Sequence, residues 1–595
     1  MGTNRGTNLL LKGFFPFLLG LALVAAGLFT QPANAVTTTT LTVHYKASAN
    51  NTTTWSLWAW DTGSAAGGSQ YLFTSTDSYG QVATIVFDHA VTRVGFLVFT
   101  NTTTWIKDIG ADRFAAISGS TGAIWLRGGD GNTYGNAANA LSQTSPLSTP
   151  AAPQGPAGLG STTSTAVVPT WIKNAVVYEV NVRAFSKEGT FTAFTRQLPR
   201  LKTLGVDVLW LMPIHQPGQL MKLGTMGSPY AVKDFRGVNP NYGTLADFKS
   251  LVKSAHAFGM KVILDWVGNH TAWDNIWITS HRDWYTQDSS GKILTPIPEW
   301  QDLADLNYDN ADMRAEMLSA MTMWVKTYGV DGFRADYAGG VPTSFWNTAT
   351  TALNAIKPIY MVAEDDSKPE LMSSSFNSNY GWSLNGFMNA VSANTQTKSG
   401  FQYQVDRLNS FYPKNSYPMN FITNHDQNAW NGTEFERMGS AVPAMAVLEF
   451  LFPGIPMIYT GQEIGLNRRL SFFDKDQVVW PDDSTWTHFY SKLIDLKTRN
   501  SSLWNGQYGG ELTMLPNTNS RVVSFARTKG TNKVIGIWNL SNQPQTVTVT
   551  TSTSTKSVYM YDFDSYTRLK VLPSTTVTIP AFGYLVYSTA LVKAH

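Results

Sequence analysis

Four carboxylates stand where short apolar runs end in the middle of this chain. Asp265 lies in MKVILDWV, Asp336 in VDGFRADYA, Glu364 closes IYMVAE and Asp426 closes MNFITNHD. A core strand has no packing reason to finish in a carboxylate, because burying an unpaired charge costs several kcal/mol. One such residue fits a structural ion pair equally well. Four at the ends of separate strands make a mouth of acid groups. Two carboxylates flanking a bond are what glycosidic cleavage requires: one gives a proton to the leaving oxygen and the other faces the anomeric carbon. Arg334 precedes Asp336 by two residues, so on a strand both side chains point the same way. It supplies the positive charge that a nucleophilic carboxylate needs beside it. Glu364 is expected to start protonated, pushed there by the negative charges of Asp336 and Asp426. His270 and His425 each adjoin a strand-end Asn or Asp and can donate to sugar hydroxyls.

Such a mouth needs parallel strands with helical crossovers. Apolar runs at 175–182, 206–213, 260–267, 330–338, 359–364, 419–426 and 454–461, with a weak one near 380–387, alternate with helical patterns such as TLADFKSLVKSAHAFG. Eight runs of this kind predict a closed (β/α)8 barrel, a TIM barrel, over 169–505, in which chemistry sits at the C-terminal strand ends. An excursion at 271–305 follows the third run and holds Trp273, Trp277, Trp284 and Trp300. Core packing of this small lobe is the expected role of each.

The flanks have a different texture. Residues 36–136 are rich in Thr, Val, Trp and Gly in short alternating runs and predict a β-sandwich module. Residues 137–168 are uncharged Ser, Thr, Pro, Ala and Gly and predict a linker without a packed core. Residues 506–595 return to alternating runs and predict a C-terminal antiparallel β-sandwich. The start reads as a secretory leader over 1–35: Arg5 and Lys12, an apolar stretch at 13–30, then Ala33-Asn34-Ala35, with the mature chain beginning at Val36. The expectation is therefore a secreted, extracellular protein, monomeric, and with no membrane contact once the leader is cleaved. The chain has no Cys, which excludes disulfides and Cys-ligated metals. Its net charge of +3 is scattered rather than clustered, which argues against a nucleic-acid partner. Charged residues are 14% and aromatic residues 13%, a balance that suits a neutral ligand with apolar faces. Trp58 and Trp60 in WSLWAWD lie two apart on a predicted strand, so both rings share one side. They form either a sugar platform or half of a sandwich core, with Trp55 the one that packs inside.

The segments DWVGNH (265–270), GFRADYA (332–338), AE (363–364) and ITNHD (422–426) resemble the four ordered sequence regions of the α-amylase family of glycoside hydrolases. The resemblance spans roughly 172–590. It implies Asp336 as nucleophile, Glu364 as general acid/base and Asp426 as the third carboxylate. It also implies Asp265, Arg334, His270 and His425 at the sugar-binding site, and Tyr230 in GSPYAVKDF stacked under the sugar. LADLN (303–307) resembles a fifth family region. The implied substrates are starch and related α-glucans, cleaved at α-1,4 links with retention through a β-glycosyl-enzyme. Rival readings are α-1,6 debranching, maltose formation, transglycosylation and non-catalytic starch capture. Against debranching, the YNWGYDP-like segment of debranching enzymes is replaced by MGSPYAVKDF. Many relatives carry a Lys-His pair where this chain has Gly339 and Gly340. No cofactor is needed for the chemistry. In many relatives Asn269 ligates a structural Ca2+, but the excursion holds no compact run like a dedicated calcium loop. VHYKA, LWAW and WIKDIGADRF resemble the starch-binding modules at the front of pullulanases. That resemblance implies Trp58 and Trp60 as the platform, with Lys107 and Asp112 bonding to sugar hydroxyls.

Overall fold

The computed structural model describes residues 38–47, 55–61, 69–100, 108, 113–143, 147, 160, 162–297, 300–551 and 558–591. The leader at 1–35, Lys107 and Asp112 lie outside the described residues. The chain divides into two compact units, Met1–Pro150 and Ala151–His595. Among the described residues no helix is long and apolar enough to cross a membrane.

The first unit is a pair of four-stranded sheets. One runs Ser75–Thr76, Gln81–Phe87, Thr39–Lys46, Thr121–Arg127, and the other Ser69–Leu72, Trp55–Asp61, Arg93–Thr100, Arg113–Ala116. Strict alternation in Thr39–Lys46 places Leu41, Val43 and Tyr45 in the core between them. Trp55, Leu57 and Ala59 fill the same core from the second sheet. The stretch read as an unpacked linker is structured at both described ends. Asn136 caps a helix at Ala137–Ser142, whose Ala140 is buried in a small cluster with Tyr79 and Tyr134. Further on, Ser164 N–H donates to Lys414 O at 2.9 Å within the second unit. Small residues lacking their own core have been given one by neighbouring elements.

In the second unit eight parallel strands close a barrel. They are β1 (Val177–Val180), β2 (Val208–Leu211), β3 (Lys261–Trp266), β4 (Gly332–Ala335), β5 (Tyr360–Ala363), β6 (Ser378–Tyr380), β7 (Tyr417–Asn420) and β8 (Ile455–Tyr459). The TIM-barrel expectation therefore holds. One strand is displaced: the run read near 380–387 belongs mostly to the helix Trp382–Ser392, and β6 is the three polar-to-aromatic residues before it. Side chains alternate across the barrel wall. Val177, Val208, Trp210, Ile263, Val362 and Met457 pack in one inner cluster, while Tyr178, Leu209, Leu264, Phe333 and Met361 pack outward against the helices. The crossover helix Leu245–Ala257 shows why: Phe248, Leu251, Val252 and Ala255 form one buried stripe, and Thr244 with Asp247 closes a capping box at its start.

The excursion after β3 is a short antiparallel pair, His270–Ala272 with Leu303–Asp305. The C-terminal part is a six-stranded antiparallel sheet facing the pair Gln545–Thr550 and Ser574–Ile579. Trp538 ties it to the barrel, stacking on Phe525 and donating to Ala444 O at 3.0 Å.

Candidate active site

Alternation across the wall decides which strand-end residues face the barrel axis. Glu179 on β1 and Asp265 on β3 take inward positions. So do Arg334 on β4, Asp336 just past its end, and Glu364 just past β5. Asp426 arrives on the segment after β7. The structure thus brings Asp336, Glu364 and Asp426 to one mouth.

Arg334 organises that mouth. Its Nη1 lies 2.8 Å from Asp265 Oδ1 and 2.8 Å from Asp336 Oδ1, and its Nη2 lies 2.8 Å from Glu364 Oε1. One guanidinium therefore touches three carboxyls, and Asp336 and Glu364 face each other across it. Side-chain exposure rises from the floor outward: none for Asp265 and Arg334, 11% for Asp336, 20% for Glu364 and 32% for Asp426. The three outer carboxyls thus open to the cleft. Asp265 and Arg334, expected as sugar ligands, are enclosed. They act here by fixing their neighbours.

Asp265 is pinned from three sides. Tyr230 Oη donates to its Oδ2 at 3.1 Å, Trp210 Nε1 approaches the same oxygen at 3.3 Å, and Arg334 holds the other oxygen. Burial pushes its carboxyl up to about 7, opposed by the Arg334 charge. Glu364 is ringed by protein although a fifth of its surface reaches the cleft. Burial pushes it up to about 8, with Arg334 opposing and the charges of Asp336 and Asp426 adding to the rise. The expected protonation thus has desolvation as its main cause, with neighbouring charge second. Its other oxygen accepts from the Tyr337 N–H at 2.8 Å. Tyr337 presents that N–H from the left-handed region, φ 42°, an uncommon conformation for a residue with a side chain.

The histidines differ. His270 is buried, its Nε2 4.0 Å from Asp336 Oδ2 and without a hydrogen-bond partner. Burial lowers its pKa against the Asp336 charge. His425 Nε2 lies 3.3 Å from Asp426 Oδ2 and 2.7 Å from Tyr230 Oη. Burial alone would lower its pKa, but Asp426 and Glu179 overcome that and raise it to about 9. Tyr230 stacks beside His425, ring centroids 5.3 Å apart.

Sequence reasoning missed one residue here: Glu179, buried inside β1, bonds to His425 Nδ1, and it lies within its apolar run rather than at the end where the other carboxylates were sought. Trp300 packs, as expected, against Ala272 and Leu303 of the excursion, and it also stands beside the mouth, its ring 5.7 Å from His270 and 5.4 Å from Tyr337. Trp277 and Trp284 do pack in the core.

Side chains at 339 and 340 would displace their neighbours. A Cβ on Gly339 would meet Asp365 Oδ2 at 2.0 Å, and one on Gly340 would meet Asn269 Oδ1 at 2.4 Å. Asn269 Nδ2 lies 3.4 Å from His270 Nδ1. Among the described residues no three His, Cys, Asp or Glu side chains converge on a possible metal position.

In the first unit Trp58 and Trp60 lie on the face of Trp55–Asp61 opposite the core residues Trp55, Leu57 and Ala59. Trp60 lies over Gly95, its cross-strand partner, where a Cβ would strike the indole at 2.3 Å. Phe114 meets Trp60 edge-on at 6.2 Å.

Comparison with known proteins agrees with this architecture. The model of the α-amylase catalytic domain matches residues 161–292 and 294–511. The model of the bacterial pullanase-associated domain matches residues 39–135. Alpha-amylase MalA of Haloarcula japonica is 27% identical over 398 residues, a stretch covering 64% of this chain and 57% of that relative. Among solved structures, a noncanonic maltogenic alpha-amylase AmyB from Thermotoga neapolitana superposes with a TM-score of 0.65 at 26% identity, covering 71% of this chain and all of that one. An alpha-amylase from Lactobacillus plantarum superposes with a TM-score of 0.63 at 29% identity and the same coverage.

Proposed function

The chain belongs to the α-amylase family of glycoside hydrolases, and from that premise we propose that it cleaves α-1,4-glucosidic bonds in starch and maltooligosaccharides with retention of configuration. The observation that carries this reading is the single guanidinium of Arg334 touching Asp336 and Glu364 at one mouth. Asp336 attacks the anomeric carbon while Glu364 gives its proton to the departing glycosidic oxygen. A β-glycosyl-enzyme results, and the leaving chain departs with a new hydroxyl. Glu364, now a carboxylate, takes a proton from water, whose oxygen attacks the same carbon and releases Asp336. Asp426, His270 and His425 bond to hydroxyls of the ring at the cleavage site, and Tyr230 supports its apolar face.

Maltose formation is the second reading. The glycine pair leaves no side chain where relatives carry Lys-His, so longer leaving chains have fewer contacts there. A time course of products from amylose and from pullulan separates the two. Mixed oligosaccharides early in the amylose digest support the first reading, and maltose from the outset supports the second. Asp336→Asn should lower release of reducing sugar on the order of 10⁴-fold while leaving starch binding intact. Residual activity within tenfold of the unmodified enzyme would remove the nucleophile assignment.

The proposal extends to secretion and to starch capture by the first unit. N-terminal sequencing of the protein recovered from culture medium should begin at Val36. Recovery with Met1 retained would count against the leader.

A further inference from the structure

Glu179 has no role in the chemistry set out above, yet its side chain is wholly enclosed at an inward position of β1. Its main-chain oxygen is held by Thr460, whose N–H donates at 3.0 Å and whose hydroxyl donates at 2.8 Å, so the residue cannot withdraw. Oε1 is hydrogen-bonded with His425 Nδ1, and Oε2 has no partner. A carboxylate in such a place costs free energy unless a cation answers it.

The answer lies on the far side of the imidazole ring. His425 Nε2 faces two oxygens, Tyr230 Oη at 2.7 Å and Asp426 Oδ2 at 3.3 Å. Tyr230 Oη also donates to Asp265 Oδ2 at 3.1 Å, which accepts while Asp265 is ionised. If Nε2 carries no proton, Tyr230 must donate to it, and Asp265 loses its phenol donor. Asp426 would then face a lone pair. If Nε2 carries a proton and Glu179 is ionised, His425, Tyr230 and Asp265 are all matched, and only Oε2 of Glu179 is left over. Nδ1–H donates to Glu179, Nε2–H donates to Tyr230 Oη, and the phenol proton goes to Asp265.

We propose that Glu179 is a positioning residue that keeps His425 as an imidazolium, and through it sets the direction of the hydrogen bonds that reach Tyr230 and Asp265. This rests on the reading of the mouth as a glycoside-cleaving site. The groups facing His425 are Glu179 from β1, Tyr230 from the segment after β2, Asp265 from β3, Arg334 from β4, Tyr459 from β8 and the adjacent Asp426. Glu179 and Asp426 favour the positive ring, and Arg334 opposes it. Without Glu179 the ring has one anionic neighbour fewer against the same desolvation. The doubly protonated ring holds Tyr230 through Nε2–H, and its charge keeps Asp426 in place between turnovers.

The test reads the imidazole directly. In full-length protein with 15N-labelled histidine, the His425 ring nitrogens, assigned by their loss in His425→Asn, should keep imidazolium shifts through pH 8. A ring already neutral at pH 7 overturns the proposal without any variant. In Glu179→Gln, which keeps shape and removes charge, the midpoint should fall by at least one unit, about tenfold in proton affinity. The alkaline limb of kcat/KM on a maltooligosaccharide should move down with it, with less than threefold loss at pH 6. Glu179→Asp should restore most of the midpoint. An unchanged midpoint in folded Glu179→Gln overturns the proposal. A shifted midpoint in a protein inert on every α-glucan leaves it standing and removes the functional reading instead.

Discussion

Glu364 sets the pH behaviour that can be measured first. In the folded protein its carboxyl is raised from 4.5 to about 8, and Asp265 is raised from 3.8 to about 7, both chiefly by burial. Folding therefore favours their protonated forms. The stability these residues contribute is full below pH 4 and is lost as pH climbs toward 8. Thermal melts at pH 5, 6, 7 and 8 should show a falling midpoint, and Glu364→Gln should flatten the slope. A slope as steep in the variant as in the unmodified enzyme would show that Glu364 does not carry it. A general acid must also begin protonated, so kcat/KM should decline above pH 8. The catalytic carboxylates were legible in the sequence because each interrupts an apolar run at its end. Glu179 was not, because it lies inside its run, where a reader sees VYEV as one strand and passes over the acid. Asp265 and Arg334 were found, but their enclosure was not legible. Spacing gives direction along a strand and says nothing of depth.

At the level of elements, β4 carries both Arg334 and Asp336, and its entry depends on one missing side chain. Gly332 has φ 155°, and a Cβ there would lie 1.9 Å from the Tyr360 carbonyl oxygen of β5. Gly332→Ala should destabilise the barrel by about 2–4 kcal/mol, seen as a lowered urea midpoint with loss of activity in proportion. A change under about 0.5 kcal/mol would mean that the strand shifts to accommodate it. Seven strands were readable from apolar runs of the right length. β6 was not, because Ser378-Asn379-Tyr380 has no apolar pattern of its own. Its middle residue is held by hydrogen bonds, Asn379 accepting from Tyr412 Oη at 2.7 Å and donating to Asp365 O at 2.9 Å, and the stronger apolar signal just beyond it belongs to a helix. The linker reading failed at its ends for a related reason. Composition reports what a segment can bury by itself, and Ala140 and Ser164 are buried by others.

For the whole molecule, the two units invite separate measurement. Trp58 and Trp60 share the face opposite the core of their sandwich, as a platform for glucose rings requires. A protein lacking 36–150 should adsorb less to granular starch, about tenfold or more if tethering raises the local concentration of enzyme, while its turnover of short maltooligosaccharides stays unchanged. Equal adsorption with and without those residues would end the capture role. The depth of the barrel floor has a different consequence, one for work in brine. Mobile ions weaken charge–charge forces only where water can carry them, over ~8 Å at physiological ionic strength. Arg334 and Asp265 have no surface open to solvent, so sodium chloride should leave the acid–base profile of hydrolysis nearly superimposable between about 0.05 and 0.5 M.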